Sequence, residues 1–278
     1  MRKIGIMHPG EMGISIAASA LNAGNELYWL STGRSDQTRA RANAHQLREV
    51  NTLAEFCQLC EIILSVCPPH AAEQVATTVA EAGFHGLYLD ANAISPQRAT
   101  RIAQILQEND IQFVDGGIIG GPAWKPGETW LFLSGESAEE IAPCFKNAPL
   151  ETKIIGAEIG KASALKMCYS AYSKGTTALM GAILASANTF SIEPYLQELW
   201  NEDKPQFFEQ TVNRVRRSTA KAWRFEGEML EIADTFRQAG LPGEFHLAAA
   251  EIYSRMSSLK RLPELPEIDV VLNLLSKK

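Results

Sequence analysis

The sequence predicts an α/β domain followed by an all-α domain, and three observations carry that expectation. From residue 3 to about residue 155, short β-rich runs alternate with helical patterns, the signature of βαβ units around a parallel sheet. After about residue 158 the strand signal stops, and stretches of Ala, Leu, Met and Lys continue with few breakers to Leu241-Pro242-Gly243. With 278 residues and 46% hydrophobic content, the chain is long enough for one large or two medium domains.

Taken in order, the strand candidates are 3–7, 26–31, 61–67, 86–91, 112–115, 130–134 and 153–155. Helical segments rich in Ala, Gln, Glu and Arg lie between them, for example 11–23 and 95–108. Ser95-Pro96 is a start signal, an N-cap hydroxyl followed by proline at the first helical position. The stretch 162–188 reads as a single helix of about forty ångströms at ~1.5 Å per residue, apolar around much of its circumference. Such a helix must be covered inside its own domain or by a second subunit. The expected division is therefore a domain over 1–157 and a helical substrate and dimerisation domain over 158–278.

Charge and composition exclude several classes of function. The balance of 26 basic against 32 acidic side chains gives −6, and no basic stripe interleaved with aromatics is present, so no nucleic-acid partner is expected. The N-terminal stretch turns polar at His8, and the longest nearly apolar run, 176–187, is too short to span a bilayer, so neither a signal peptide nor a membrane partner is expected. Five cysteines, an odd number, fit the reduced thiols of a cytoplasmic protein. Cys57 and Cys60 have zinc-like spacing but no second pair, and the five histidines are dispersed, so no metal site is expected.

The first strand runs into His8-Pro9-Gly10-Glu11-Met12-Gly13, which keeps the second and third glycines of a G-x-G-x-x-G turn and puts His8 at the first. Gly10 lets a pyrophosphate approach the backbone, and Gly13 lets the following helix pack close to the strand. The turn lies between a strand and an apolar helix, the context a dinucleotide site demands. About twenty residues on, Ser31, Thr32 and Arg34 stand where an NAD site presents a carboxylate. Hydroxyls and a guanidinium suit a 2′-phosphate, which points to NADP.

With 65–69, 90–96 and 114–122 also in view, the chain resembles the β-hydroxyacid dehydrogenase superfamily, which includes 6-phosphogluconate and 3-hydroxyisobutyrate dehydrogenases. It looks closest to a phosphogluconate-dehydrogenase-like branch, for which 221–224, 239–242 and Phe245-His246 look typical. The resemblance implies a Rossmann N-terminal domain with the active site between it and the helical domain. It implies that Cys67 and Pro68 border the nicotinamide ribose, and that Asn92 and Ser95 meet the nicotinamide and substrate. Gly120 and Gly121 would hold the substrate's polar end through backbone amides, with Trp124 in the loop that follows.

In the family a glycine-rich lead precedes a catalytic lysine, with an asparagine four residues later. Lys166 matches the lysine, and Ser170 occupies the asparagine's place. A lysine exchanges protons at neutral pH only where burial or a neighbouring cation lowers its affinity for the proton. Lys161 and Lys174 lack the family spacing and read as surface residues, and Glu228 and Glu231 as a solvated helix face. The reading is a homodimeric NADP-dependent oxidoreductase that acts on a small β-hydroxy acid or related carbonyl compound. Its alternatives are an imine or enamine reductase on the same scaffold and a non-catalytic NADP sensor.

Overall fold

The apolar runs of the first half assemble into one eight-stranded sheet. In the computed structural model, which describes residues 1–260 and 262–277, the chain forms two compact units, Met1–Met167 and Cys168–Lys278. The first unit runs β1 (Lys3–Ile6), α1 (Glu11–Asn22), β2 (Glu26–Leu30), α2 (Asp36–Ala44), β3 (Arg48–Val50), α3 (Leu53–Leu59) and β4 (Ile62–Ser65). It continues through α4 (Ala72–Glu81), β5 (Leu87–Asp90), α5 (Pro96–Gln107), β6 (Gln112–Gly120), β7 (Thr129–Ser134), α6 (Ala138–Ile141) and β8 (Glu151–Ile154) to α7 (Lys161–Ser170).

The strand order is β3-β2-β1-β4-β5-β6-β7-β8. Pairing is parallel from β3 through β6, antiparallel between β6 and β7, and parallel again between β7 and β8. Both faces are covered, which explains why the central strands read as unbroken apolar runs. Ile4, Ile6, Leu27 and Leu64 face a core shared with Ile14, Ala17 and Ala20 of α1. Ile63 and Tyr88 face the other core, with Phe56 of α3, Val79 of α4 and Ile102 of α5.

Two elements of this sheet depart from the expectation. Strand β3 escaped notice because it has three residues, of which only Val50 is buried, so no alternation marks it. Strand β6 runs five residues past its expected end at Asp115, and Gly116 and Gly117 are strand interior. A Cβ on Gly117 would lie 2.5 Å from the carbonyl oxygen of Ala162. The bare backbone therefore lets α7 lie directly on the sheet, and the first unit extends ten residues beyond the expected boundary.

The second unit contains α8 (Thr176–Thr189), α9 (Glu193–Asp203), α10 (Phe207–Ser218), α11 (Ala222–Gln238), α12 (Glu244–Arg255) and α13 (Ile268–Ser276). The expected single helix over 162–188 is α7 and α8 joined by a π-helical turn, Ala171–Gly175. A wide turn leaves carbonyls looking outward, and side chains take them up. Tyr253 donates to the Lys174 carbonyl at 2.8 Å, Thr177 to that of Ser173 at 2.7 Å, and Arg214 to Ser173 as well. No helix among the described residues is long and apolar enough to cross a membrane.

Candidate active site

The turn after β1 is tight on one side and open on the other. A Cβ on Gly13 would lie 2.2 Å from the His8 carbonyl oxygen, so only glycine lets α1 start this close to the strand. A Cβ on Gly10 would meet no atom within 4 Å. Gly10 is the N-cap of α1 and supplies no side-chain cap, so the first amides of the helix face that open side with the positive end of the helix dipole. This is the cradle a dinucleotide pyrophosphate requires.

Arg34, past the end of β2, acts electrostatically on His8, past the end of β1. Burial, with Arg34 adding to it, pushes the His8 imidazole down to about 4, so it is neutral at pH 7. His8 Nδ1 and Arg34 Nε are both buried without a hydrogen-bond partner among the described residues. Ser31 and Thr32, expected alongside Arg34, are engaged elsewhere. Ser31 donates to Asn51 Oδ1 at 2.9 Å and Thr32 to the Asn51 carbonyl, so both hydroxyls hold the end of β3. The guanidinium keeps donor capacity that the two hydroxyls have spent.

Asn92 ties the ends of β4 and β5 together. Its amide nitrogen donates to Asp90 at 2.8 Å and to Ser65 Oγ at 3.1 Å, its backbone N–H donates to Asp90 at 2.9 Å, and its Oδ1 accepts from the Cys67 N–H at 2.5 Å. With every side-chain polar atom engaged and 2% exposure, Asn92 holds the Cys67-Pro68 segment in place. Burial pushes the Asp90 carboxyl up to about 7, and Asp115, its register partner on β6, adds to the rise. Burial also pushes the Cys67 thiol up to about 12, so it carries no charge at neutral pH.

Asp115 organises the start of α7. It accepts from the backbone N–H groups of Gly160 and Ser163 at 3.0 Å each, from Ser134 Oγ at 3.1 Å and from Ser163 Oγ at 2.5 Å. Ser134 Oγ in turn accepts from the Ala162 N–H at 3.0 Å. Three of the amides that open α7 are thereby satisfied, with a carboxyl at the end of the helix that favours it. Lys166 follows one turn later, its Cβ 3.2 Å from where a Gly117 Cβ would stand. Sequence reasoning gave Asp115 no role; the available signal was an acidic residue ending an apolar strand just before a glycine pair.

In the second unit the two expected solvated carboxylates are buried. Glu228 is 7% exposed and Glu231 4%. Glu228 accepts from Ser170 Oγ at 2.7 Å and from Lys174 Nζ at 2.5 Å, and Lys174 lies 5.0 Å from the Phe225 ring. Lys174 is therefore a half-buried ion-pair partner, not a surface lysine. The π turn changes the helical phase after Ser170 and brings Lys174 to the side where Glu228 waits, which straight helical counting does not anticipate. Ser170 is fully buried, with its hydroxyl committed to Glu228.

The remaining expected residues lie near the end of β6 and the start of α5. Gly120 has φ +125°, and a Cβ there would meet the Glu128 carbonyl oxygen at 2.3 Å. Thr129 holds the Gly121 carbonyl at 2.8 Å, and the Ala123 N–H donates to Ser15 Oγ at 2.9 Å. Trp124 is half exposed and stacks on His45 with ring centroids 5.1 Å apart. Ser95 is the buried N-cap residue of α5, with Pro96 at the first helical position. Among the described residues no cluster of three or more His, Cys, Asp or Glu could hold a metal ion.

A glycine cradle at the end of the first strand, in a doubly wound sheet of this order, defines a nicotinamide-dinucleotide-binding domain of the oxidoreductase type. Residues 3–156 match the family of the NAD binding domain of 6-phosphogluconate dehydrogenase, and residues 187–256 match a domain of unknown function, DUF1932. The chain belongs to the β-hydroxyacid dehydrogenase superfamily.

Similar proteins cover from 72% to all of the chain. An uncharacterised 28.5 kDa protein of Methanothermus fervidus is 28% identical over 202 residues, 72% of this chain and 77% of that one. A solved conserved protein of unknown function, described as structurally similar to 3-hydroxyacid dehydrogenases, is 26% identical with TM-score 0.69, covering 92% of this chain and 97% of its own. The 3-hydroxyisobutyrate dehydrogenase of Mycobacterium tuberculosis shares the fold with TM-score 0.74 at 16% identity, covering 100% of both chains.

Proposed function

We propose that the protein is an NADP-dependent oxidoreductase acting on a small β-hydroxy acid or a related carbonyl compound, with Lys166 as its general acid and base. The observation that carries this reading is the mounting of Lys166. The start of its helix is locked by Asp115 and its stem lies over the bare backbone of Gly117, a rigid placement that a proton-transfer group needs. When bound, the nicotinamide supplies the hydride acceptor or donor. Lys166 takes the substrate's hydroxyl proton in oxidation and returns a proton to the carbonyl oxygen in reduction.

The chain's other residues bind and orient. The α1 amides beside Gly10, with His8, Pro9, Glu11 and Met12 around them, hold the pyrophosphate, and Arg34 pairs with the 2′-phosphate. Cys67 and Pro68, held by Asn92, border the nicotinamide ribose. Ser95, Gly120, Gly121 and Trp124 contact the substrate. Ser170 orients through its bond to Glu228. Exposed Leu179, Phe190, Tyr195 and Leu199 on α8, α9 and their connection support a homodimer formed by the helical unit.

Replacing Lys166 tests the reading. Lys166→Met should preserve the circular dichroism spectrum and NADPH affinity, yet lower turnover ~10²- to 10⁴-fold. A fully active variant would reject Lys166 as the proton-transfer group. It would then favour an imine reductase, whose support is that Ser170 is committed to Glu228 where the family has an asparagine.

A further inference from the structure

His8 stands where the glycine turn has its first glycine, and three features of its surroundings point the same way. Its Nδ1 is buried without a partner among the described residues. Arg34, entering from the β2 end with its own Nε unpartnered, acts on it electrostatically. Two residues after His8 comes Gly10, open on its Cβ side and the N-cap of α1, whose first amides have no side-chain cap. Among the described residues the charged group that acts on His8 is a cation, Arg34, and the amides that open α1 are donors. Of the other titratable groups nearby in the chain, Cys67, which acts on Arg34, is a neutral thiol, and Glu11 is exposed.

We propose that His8 is a phosphate ligand of the bound dinucleotide and takes up a proton from solvent when that nucleotide binds. The proton joins a ring nitrogen of the neutral imidazole, and the imidazolium pairs with a phosphate oxygen; no other bond forms or breaks. In the free protein, burial and Arg34 hold the imidazole down to about 4. A dianionic pyrophosphate opposes both effects, since its charge stabilises the imidazolium directly and outweighs the repulsion from Arg34. The bound-state value then lies above the free one, so the sign is fixed: affinity rises as pH falls through the interval between them. The inference rests on the dinucleotide reading of this site and adds to it a charged role for the His8 ring and a proton.

Calorimetry with NADH tests it, because its pyrophosphate does not titrate between about pH 5 and 8 and it carries no 2′-phosphate. Titrations at about pH 6 in two buffers of different ionisation enthalpy should show uptake approaching one proton per site, with Kd tightening up to about tenfold per unit fall in pH. His8→Gln, which keeps a polar side chain without a titrating ring, should bind NADH with no uptake and a flat pH dependence. Equal heats in both buffers for the wild type, or unchanged uptake in His8→Gln, would overturn the proposal and leave dinucleotide binding intact. Absence of any NADH or NADPH binding would overturn both.

Discussion

Ser163 binds Asp115 twice, through its hydroxyl at 2.5 Å and its backbone N–H at 3.0 Å. The pair joins the point where β6 leaves its parallel neighbour to the first turn of α7, the helix that carries Lys166. Both residues are wholly buried. Asp115→Ala would leave the Ser163 donors, the Gly160 amide and Ser134 Oγ without their acceptor. Each unsatisfied buried donor costs roughly 1–3 kcal/mol, so a loss of at least about 3 kcal/mol is expected in urea unfolding. Stability within about 1 kcal/mol of wild type would show that water replaces the carboxylate.

Gly117→Ala separates placement from chemistry. The added Cβ would lie 2.5 Å from the Ala162 carbonyl oxygen, which is backbone and cannot swing aside. Helix α7 must shift, so turnover should fall at least about tenfold while NADH affinity stays near wild type. Unchanged kcat would show that the position of α7 is not critical.

Cofactor choice should follow Arg34. NADPH should bind more tightly than NADH, and Arg34→Ala should weaken NADPH by about tenfold or more, the roughly 1.5–3 kcal/mol of a charged hydrogen bond. NADH affinity should move less. Equal calorimetric affinities of the wild type for the two nucleotides would remove Arg34 from this role.

Asp90 makes stability depend on pH. Its folded value, about 7, lies above the ordinary 3.8, so the folded state holds the proton more tightly. The stability this contributes is complete below pH ~3.8 and is lost as pH rises through ~7. Between about pH 6 and 8 the wild type should lose ~1 kcal/mol relative to Asp90→Asn, which keeps a carbonyl acceptor for the Asn92 N–H. Thermal melts of the pair across that range check it, and parallel curves would refute the assignment.

Much of this was legible in the residues. The βαβ half, the helical half and the glycine turn follow from local periodicity and from glycine spacing, which need no knowledge of distant partners. Lys166 and Arg34 could be singled out by position after such landmarks. The three-residue β3 could not, because a strand so short carries no pattern until β2 pairs with it.

The amino-acid sequence by itself determined most of the strands and helices and the glycine turn after β1, because those depend on side-chain period and on backbone freedom at Gly10 and Gly13. Only the tertiary structure decided what the polar residues do. Asp115 is a helix anchor, Asn92 a clamp, Glu228 a buried partner of Ser170 and Lys174, and His8 a neutral ring beside a cation. Each role arises from burial and from a partner as many as 58 residues away along the chain, as Glu228 is from Ser170. Desolvation and hydrogen bonding act across that space, and neither is written in local sequence.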